Sequence, residues 1–332
     1  MIRVLLKFTL LVLMLAAMVA GWMYHFAHTP LTLPQSPYYF ALKHGSSLRG
    51  VAQQMAQEGV LREPWSFIAL VRGFGKDQEI KAGNYQLEAG LTPLQLFTMI
   101  TSGDVAQSGV TFIEGWTFRQ MREALDKQEG LRHLSMSWPD AQLMKALGAP
   151  ETAPEGLFFP DTYYFSSDMS DLDILKRAYL TMQRKRDAAW QSRAAGLPYR
   201  DSYQALIMAS IVEKETASGE ERPLIARVFI NRLRLNMRLQ TDPTVIYGMG
   251  EMFDGNLRKR DLLTDTPYNT YTRNGLPPTP IAMPGLASME AVLHPVQSDA
   301  LYFVGRGDGH HVFSATLAEH NRAVSRYQLK AD

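Results

Sequence analysis

Residues Ala205–Ala217, A-L-I-M-A-S-I-V-E-K-E-T-A, read as a buried helix with a carboxylate on its apolar face. At about 100° of turn per residue, Ile207, Met208, Ile211 and Val212 form one stripe, and Glu215 falls near its centre. Glu213 falls almost opposite, among the faces of Leu206, Ala209 and Ser210, with Lys214 on the flank. A carboxylate facing apolar neighbours loses hydration, which raises its pKa. Such a group stays protonated near neutral pH and can donate a proton. The competing reading ends the helix at Glu215 and points it into solvent, with Lys214 and Arg222 as passing partners.

Helical patterning continues on both sides. Asp171 to about Ala195 forms a long amphipathic helix closed by Gly196-Leu197-Pro198, and a second helix follows Glu220 through Ile225, Val228, Phe229 and Leu233. Leu239-Gln240-Thr241-Asp242-Pro243-Thr244 breaks that helix. Pro267–Gly285 is loop chemistry, with five prolines and two glycines. A loop this long inside a compact domain is usually functional or disordered, and the interleaved Tyr268, Asn269, Tyr271, Asn274, Leu276 and Ile281 argue for order. Ala300–Val304 and His311–Ser314 predict a hairpin across Gly305–Gly309, followed by a closing helix. Upstream, Val110–Ile113 reads as a strand and Thr117 as the N-cap of a helix from Phe118 to about Lys127. Glu155–Phe165 is dense in aromatics around a Pro-Asp turn, either core or the wall of a cleft that stacks sugar rings.

Tyr38 to about Asp104 gives strand, helix, helix, strand, helix. Tyr39, Phe40 and Leu42 form the first strand, and His44–Ser47 a turn with an N-cap. Leu48, Val51, Ala52 and Met55 then run at helical spacing to a stop at Gly59. Pro64–Val71 is the next helix, Ala82–Leu87 the second strand, and Thr92-Pro93 opens a helix ending near Gly103. Before this module, His28–Pro37 holds three prolines and no periodicity, as in an extended stalk.

Phe8–Tyr24 is an uncharged apolar run long enough for one membrane-spanning helix if Lys7 snorkels. Arg3 and Lys7 precede it and no Lys or Arg follows until Lys43, which keeps the N-terminus cytoplasmic. A cleaved signal peptide competes, but Ala17-Met18-Val19-Ala20 is a poor cleavage site. The fold class is α+β: a transmembrane segment over residues 1–27, the stalk over 28–37, a small α+β module over 38–105 and a larger α+β domain over 106–332.

Among 332 residues, 34 Lys plus Arg nearly balance 33 Asp plus Glu, so no bulk charge is available to hold nucleic acid. With no cysteine, disulfides, thiolate catalysis and cysteine-ligated metal are excluded. No H-E-x-x-H, G-x-S-x-G or G-x-x-x-x-G-K occurs. His310, His311 and His320, without paired carboxylates or helical spacing, read as structural or surface residues. Glu213 and Glu215, two apart on a helix, face different ways and cannot flank one bond.

The segments I-V-E-K-E-T, R-V-F-I-N-R-L-R, M-R-L-Q-T-D-P-T-V-I-Y-G, Y-N-T-Y and N-G-L-P-P-T-P-I-A-M-P-G together resemble the endolytic murein transglycosylase family (MltG/YceG-like). The resemblance runs from the apolar segment to the C-terminus and is densest from Ser210 to Gly285. It implies a single-span inner-membrane protein with a LysM-like module at residues 38–105 and a periplasmic catalytic domain. It implies Glu215, the second glutamate of E-K-E-T, as the catalytic residue, and Gln240, Thr241, Asp242, Tyr268, Asn269 and Tyr271 as substrate-binding residues. Glu213 and Glu155 are supporting candidates.

The implied reaction cleaves the β-1,4 bond between N-acetylmuramic acid and N-acetylglucosamine within peptidoglycan strands, leaving 1,6-anhydro-muramyl ends. Glu215 protonates the glycosidic oxygen and then takes the proton of the muramic acid C6 hydroxyl, which attacks intramolecularly. No metal or organic cofactor is needed. The implied partners are glycan strands, the cytoplasmic membrane and peptidoglycan synthases, with termination of new strands as the family role. Two alternatives stay open: a hydrolytic muramidase using Asp242 to activate water, and a non-catalytic membrane-tethered glycan-binding scaffold.

Overall fold

The computed structural model describes residues 2–34, 36, 38–42, 45–81, 83–102, 108–150, 153–165 and 169–328. Expectations resting on Gln35, Pro37, Lys43, His44, Ala82, Gly103, Asp104 and Glu151 lie outside those residues. The chain is mixed α+β and divides into two compact units. One holds Met1–Gly109 with Gly130–Arg132 and Tyr164–Ser170, and the other holds the remainder.

The first unit begins with α1 (Ile2–His28). Its Leu6–His28 stretch, with mean hydropathy 2.0, is the one described helix long and apolar enough to cross a membrane. Then follow β1 (Tyr38–Leu42), α2 (Leu48–Gln57), α3 (Pro64–Gly73), β2 (Gly83–Leu87) and α4 (Pro93–Ser102), in the expected order. β1 and β2 pair antiparallel with Phe40 opposite Tyr85. The Ser47 hydroxyl accepts from the Gly50 N–H at 3.2 Å and so caps α2. Gly59, at φ +77°, follows the helix in a conformation that glycine adopts without strain. Val51, Ala52 and Met55 on α2 are fully buried with Phe67, Tyr85, Leu87 and Ile100.

The segment after α1 differs from a free spacer. Ala27 is buried in the module's core, and Leu31 and Leu33 pack against it. The Leu31 N–H donates to the Leu91 carbonyl at 2.7 Å. Trp22 of α1 stacks on Trp65 of α3 with ring centroids 4.7 Å apart.

After β3 (Ser108–Thr111) come α5 (Phe118–Asp126), α6 (Asp140–Ala146), β4 (Thr162–Phe165), α7 (Asp171–Ser192), α8 (Ser202–Glu215) and α9 (Arg222–Arg234). They are followed by α10 (Asp242–Met249), a short 3₁₀ turn, α11 (Lys259–Leu263), α12 (Leu286–Leu293), β5 (Tyr302–Gly305), β6 (His311–Ser314) and α13 (Leu317–Tyr327). A capping box between Thr117 and Gln120 starts α5 where the sequence predicts. The aromatic stretch after Glu155 is core and not a cleft wall: Phe158 is buried and stacks on Phe118 at 5.0 Å, with Leu157 and Tyr163 also buried.

In the second unit α8 is the central helix, with α7, α9, α10 and α12 packed on it. Every residue from Ala205 to Val212 is buried. The expected single apolar stripe is therefore too narrow, because Leu206, Ala209 and Ser210 are covered as well. Ser210 satisfies its hydroxyl by donating to the Ile207 carbonyl and accepting the Ile281 N–H, which pins the long loop to α8. β5 and β6 form an antiparallel hairpin that α13 packs against, and α9 packs on β5.

Candidate active site

Two carboxylates leave the last turn of α8 in different directions, as the helical geometry requires. Glu213 is almost fully buried, pairs with Arg222 at 3.3 Å and accepts the Gly285 N–H at 2.9 Å. It anchors α8 to α9 and to the end of the long loop. Lys214 donates to the Gly115 carbonyl at 3.2 Å. Glu215, the final residue of the helix, enters a cleft of about 510 Å³, within the range of small-molecule sites.

The Glu215 environment favours its neutral form. Burial, reinforced by nearby Asp242, raises its pKa to about 6. Opposing these, the Thr241 hydroxyl donates to Glu215 Oε1 and His311 contributes a favourable field for the carboxylate. Thr241 stands at the N-cap position of α10, where its hydroxyl makes no cap bond and points its O–H at Glu215. The placement of Thr241 is well determined: its N–H donates to Thr270 Oγ1 at 3.1 Å, and its carbonyl accepts from Thr244 at 2.7 Å.

Gln240 and Asp242 flank Thr241 in the cleft wall. Gln240 sits at φ +52°, a strained conformation for a residue with a Cβ, as often found at functional sites. Arg232 supports that turn by donating to the carbonyls of Arg238 and Leu239 and to Gln240 Oε1. Tyr271 donates to Asp242 Oδ1 at 2.5 Å. Burial, reinforced by Asp242, pushes the Tyr271 phenol well above its ordinary value, so it remains a donor. The cleft thus combines a protonatable acid, a fixed carboxylate–phenol pair and an exposed amide. Among the described residues no group of three or more His, Asp or Glu is placed to hold a metal ion.

A family model described as YceG-like matches residues 40–326. A relative from Bacillus subtilis (strain 168), named endolytic murein transglycosylase, is 33% identical over 300 residues, covering 85% of this chain and 82% of that protein. The chain belongs to the YceG-like family. A second relative of the same name, from Streptococcus pneumoniae serotype 2 (strain D39 / NCTC 7466), is 25% identical over 324 residues, and this chain spans 57% of its length. A 2.6 Å crystal structure of a YceG-like protein from Listeria monocytogenes matches with a TM-score of 0.54 and 31% identity, covering 86% of this chain and 98% of that one.

In this YceG-like chain Glu215, Gln240, Thr241, Asp242 and Tyr271 come together in one cleft. Besides Glu213, three expected residues stand outside that cleft. Asn269 is completely buried, and its amide donates to the carbonyls of Asp261, Leu262 and Thr264 while its Oδ1 accepts the Tyr271 N–H. With both amide hydrogens committed to loop carbonyls and no exposed surface, it organises the loop and does not face the cleft. Tyr268 packs edge-on against Tyr247 at 4.9 Å, with its hydroxyl 2.9 Å from Thr279. Glu155 is buried below α5, accepting the Phe118 N–H at 3.0 Å and the Tyr247 hydroxyl at 3.1 Å. Burial pushes it up to about 7 against the pull of those two donors, but it does not line the cleft.

Of the three clustered histidines in the YceG-like chain, His310 is exposed, as expected of a surface residue, and the other two stand at the cleft. His311 and His320 both line the cleft, as do Tyr302 and Phe303 of the hairpin and Asn321 of α13. His320 stacks on Tyr302 at 5.1 Å, and burial together with Arg232 holds it below its ordinary value. The sequence signal for His311 was its position at the start of a predicted strand. Its carboxylate partner, Glu221, lies 90 residues away.

Proposed function

We propose that this protein is an endolytic peptidoglycan lytic transglycosylase that cleaves the β-1,4 bond between N-acetylmuramic acid and N-acetylglucosamine within glycan strands and leaves 1,6-anhydro-muramyl ends. The observation that carries the reading is a half-buried glutamate with its pKa raised to about 6, held by Thr241 in an open cleft. The name shared by the relatives supports the same reaction.

Protonated Glu215 donates to the glycosidic oxygen, and the C1–O bond breaks as positive charge develops on the muramyl ring. The muramic acid C6 hydroxyl attacks C1 and its proton leaves to a base in the cleft. A tethered nucleophile has the orientation advantage of an intramolecular reaction, so a second protein carboxylate need not activate water. Gln240 and the Asp242–Tyr271 pair are the groups we assign to the N-acetyl substituents, since one offers an amide and the other a fixed acceptor.

In this reading α1 anchors the protein in the inner membrane with its N-terminus cytoplasmic, residues 28–37 link it to a LysM-like module at 38–105, and residues 106–332 form the periplasmic catalytic domain. The helix's hydropathy supports the anchor, and the strand–helix–helix–strand order supports the LysM-like assignment. Termination of nascent strands beside a synthase is the role that fits an anchored enzyme cutting within strands.

The test is mass spectrometry of purified peptidoglycan digested by wild type and by Glu215→Gln. Anhydro-muramyl ends from wild type alone support the proposal. Ordinary reducing ends from wild type identify a hydrolase and direct attention to Asp242. Absence of cleavage by wild type, with glycan still bound, leaves the tethered binding protein.

A further inference from the structure

Glu221, just before α9, reaches across to the first residue of β6. It accepts the His311 backbone N–H at 2.9 Å on one oxygen, and its other oxygen lies 2.7 Å from His311 Nδ1. Burial raises the Glu221 pKa, but the backbone and ring contacts of His311 outweigh it and leave the carboxyl below its ordinary value. Glu221 is therefore ionised and can only accept, so the hydrogen of the neutral imidazole sits on Nδ1. That leaves the Nε2 lone pair as the ring's free acceptor.

The ring borders the cleft that holds the proposed acid. His311 is only partly exposed and lines the cleft that holds Glu215. The ring of Phe303 meets it nearly at right angles at 5.4 Å, which fixes its plane. Its cross-strand neighbour is Gly305, also a cleft residue, which has no side chain to cover the imidazole. His320, the cleft's other imidazole, is stacked on Tyr302 with no carboxylate within salt-bridge distance among the described residues.

We infer that His311, oriented by Glu221, is a second catalytic residue whose Nε2 accepts the proton of the attacking C6 hydroxyl. This rests on the transglycosylase reading above. The Glu215 proton goes to the departing glycosidic oxygen, the C1–O bond breaks, and the C6 oxygen bonds to C1 as its proton passes to His311. Solvent then returns the enzyme to its starting state, with His311 losing the proton and Glu215 regaining one. Glu221 acts through His311 and is a positioning residue.

The test measures the rate of release and the identity of muramyl ends made by the full-length protein and its His311→Ala, His311→Asn and Glu221→Gln variants. A base of this kind contributes about 10²-fold or more. His311→Ala should lose anhydro-end formation by that factor, divert part of the remaining cleavage to reducing ends as water captures the muramyl cation, and be rescued by added imidazole. Rescue and diversion would not accompany a merely structural loss. Asn can still offer an N–H to Glu221 but has no basic lone pair, so His311→Asn should show the same loss with the hairpin intact. Glu221→Gln should lose less, and nothing further in the His311→Ala background. Anhydro-end formation by His311→Asn within about twofold of wild type overturns the inference and leaves the proposed reaction standing. Wild type that makes no anhydro ends overturns the transglycosylase reading itself, and this inference with it.

Discussion

Replacing Glu215 by Gln should abolish cleavage and, above neutral pH, make the protein more stable. The ordinary glutamate value is 4.5 and the folded value about 6, a difference of about 1.5 units. At about 1.36 kcal/mol per unit, that is about 2 kcal/mol at most, and nearer 1 where solvent in the open cleft screens the charge. The sign follows from linkage: a pKa raised by folding contributes stability that is fully present below pH 4.5 and lost as pH rises through about 6. Gln keeps the shape and still accepts from Thr241, but never ionises. The two proteins should therefore melt alike near pH 4. At pH 8 the variant should melt higher, by roughly 2–8 °C for a unit of this size. Titration of every other group is common to both proteins and cancels to first order. Melts of detergent-solubilised wild type and variant at both pH values decide the matter. A variant no more stable than wild type at pH 8 would show that the folded protein does not raise the Glu215 pKa.

Thr241→Val removes a bond that favours the carboxylate, so Glu215 should stay protonated to higher pH and the alkaline limb of the pH–rate profile should move up; an unmoved limb counts against the assigned contact. Asn269→Ala strips the donor from three carbonyls and should cost about 1–3 kcal/mol in a denaturant melt, whereas a substrate ligand would raise KM with stability unchanged. Gly156→Ala places a methyl group against the Pro280 ring at a position with φ +78° and should destabilise by roughly 1–3 kcal/mol, read as a lower melting temperature.

What the sequence made legible was local. Ser47, Gly59 and Thr117 mark helix ends by chemistry confined to a few residues, and each stands where that chemistry puts it. The opposite directions of Glu213 and Glu215 follow from helical pitch alone. Contacts between distant segments were not legible. Burial on every side of α8 comes from α7, α9, α10, α12 and the loop at Ile281, which no periodicity within Ala205–Ala217 reports. Asp242-Pro243 looks like a break, yet proline in a first turn lacks only an N–H that has no helical partner, so α10 begins there. An amide and a phenol in one loop look equally like ligands. Only the carbonyls of Asp261, Leu262 and Thr264 reveal that Asn269 is consumed and Tyr271 is free to meet Asp242.

If one protonated carboxyl in the cleft drives cleavage, the pH dependence of kcat/KM for release of anhydro-muramyl ends follows its titration. The rate should fall with loss of a single proton near pH 6 and vanish in Glu215→Gln. A profile flat from pH 5 to 8, or substantial anhydro-end release by Glu215→Gln, would contradict it.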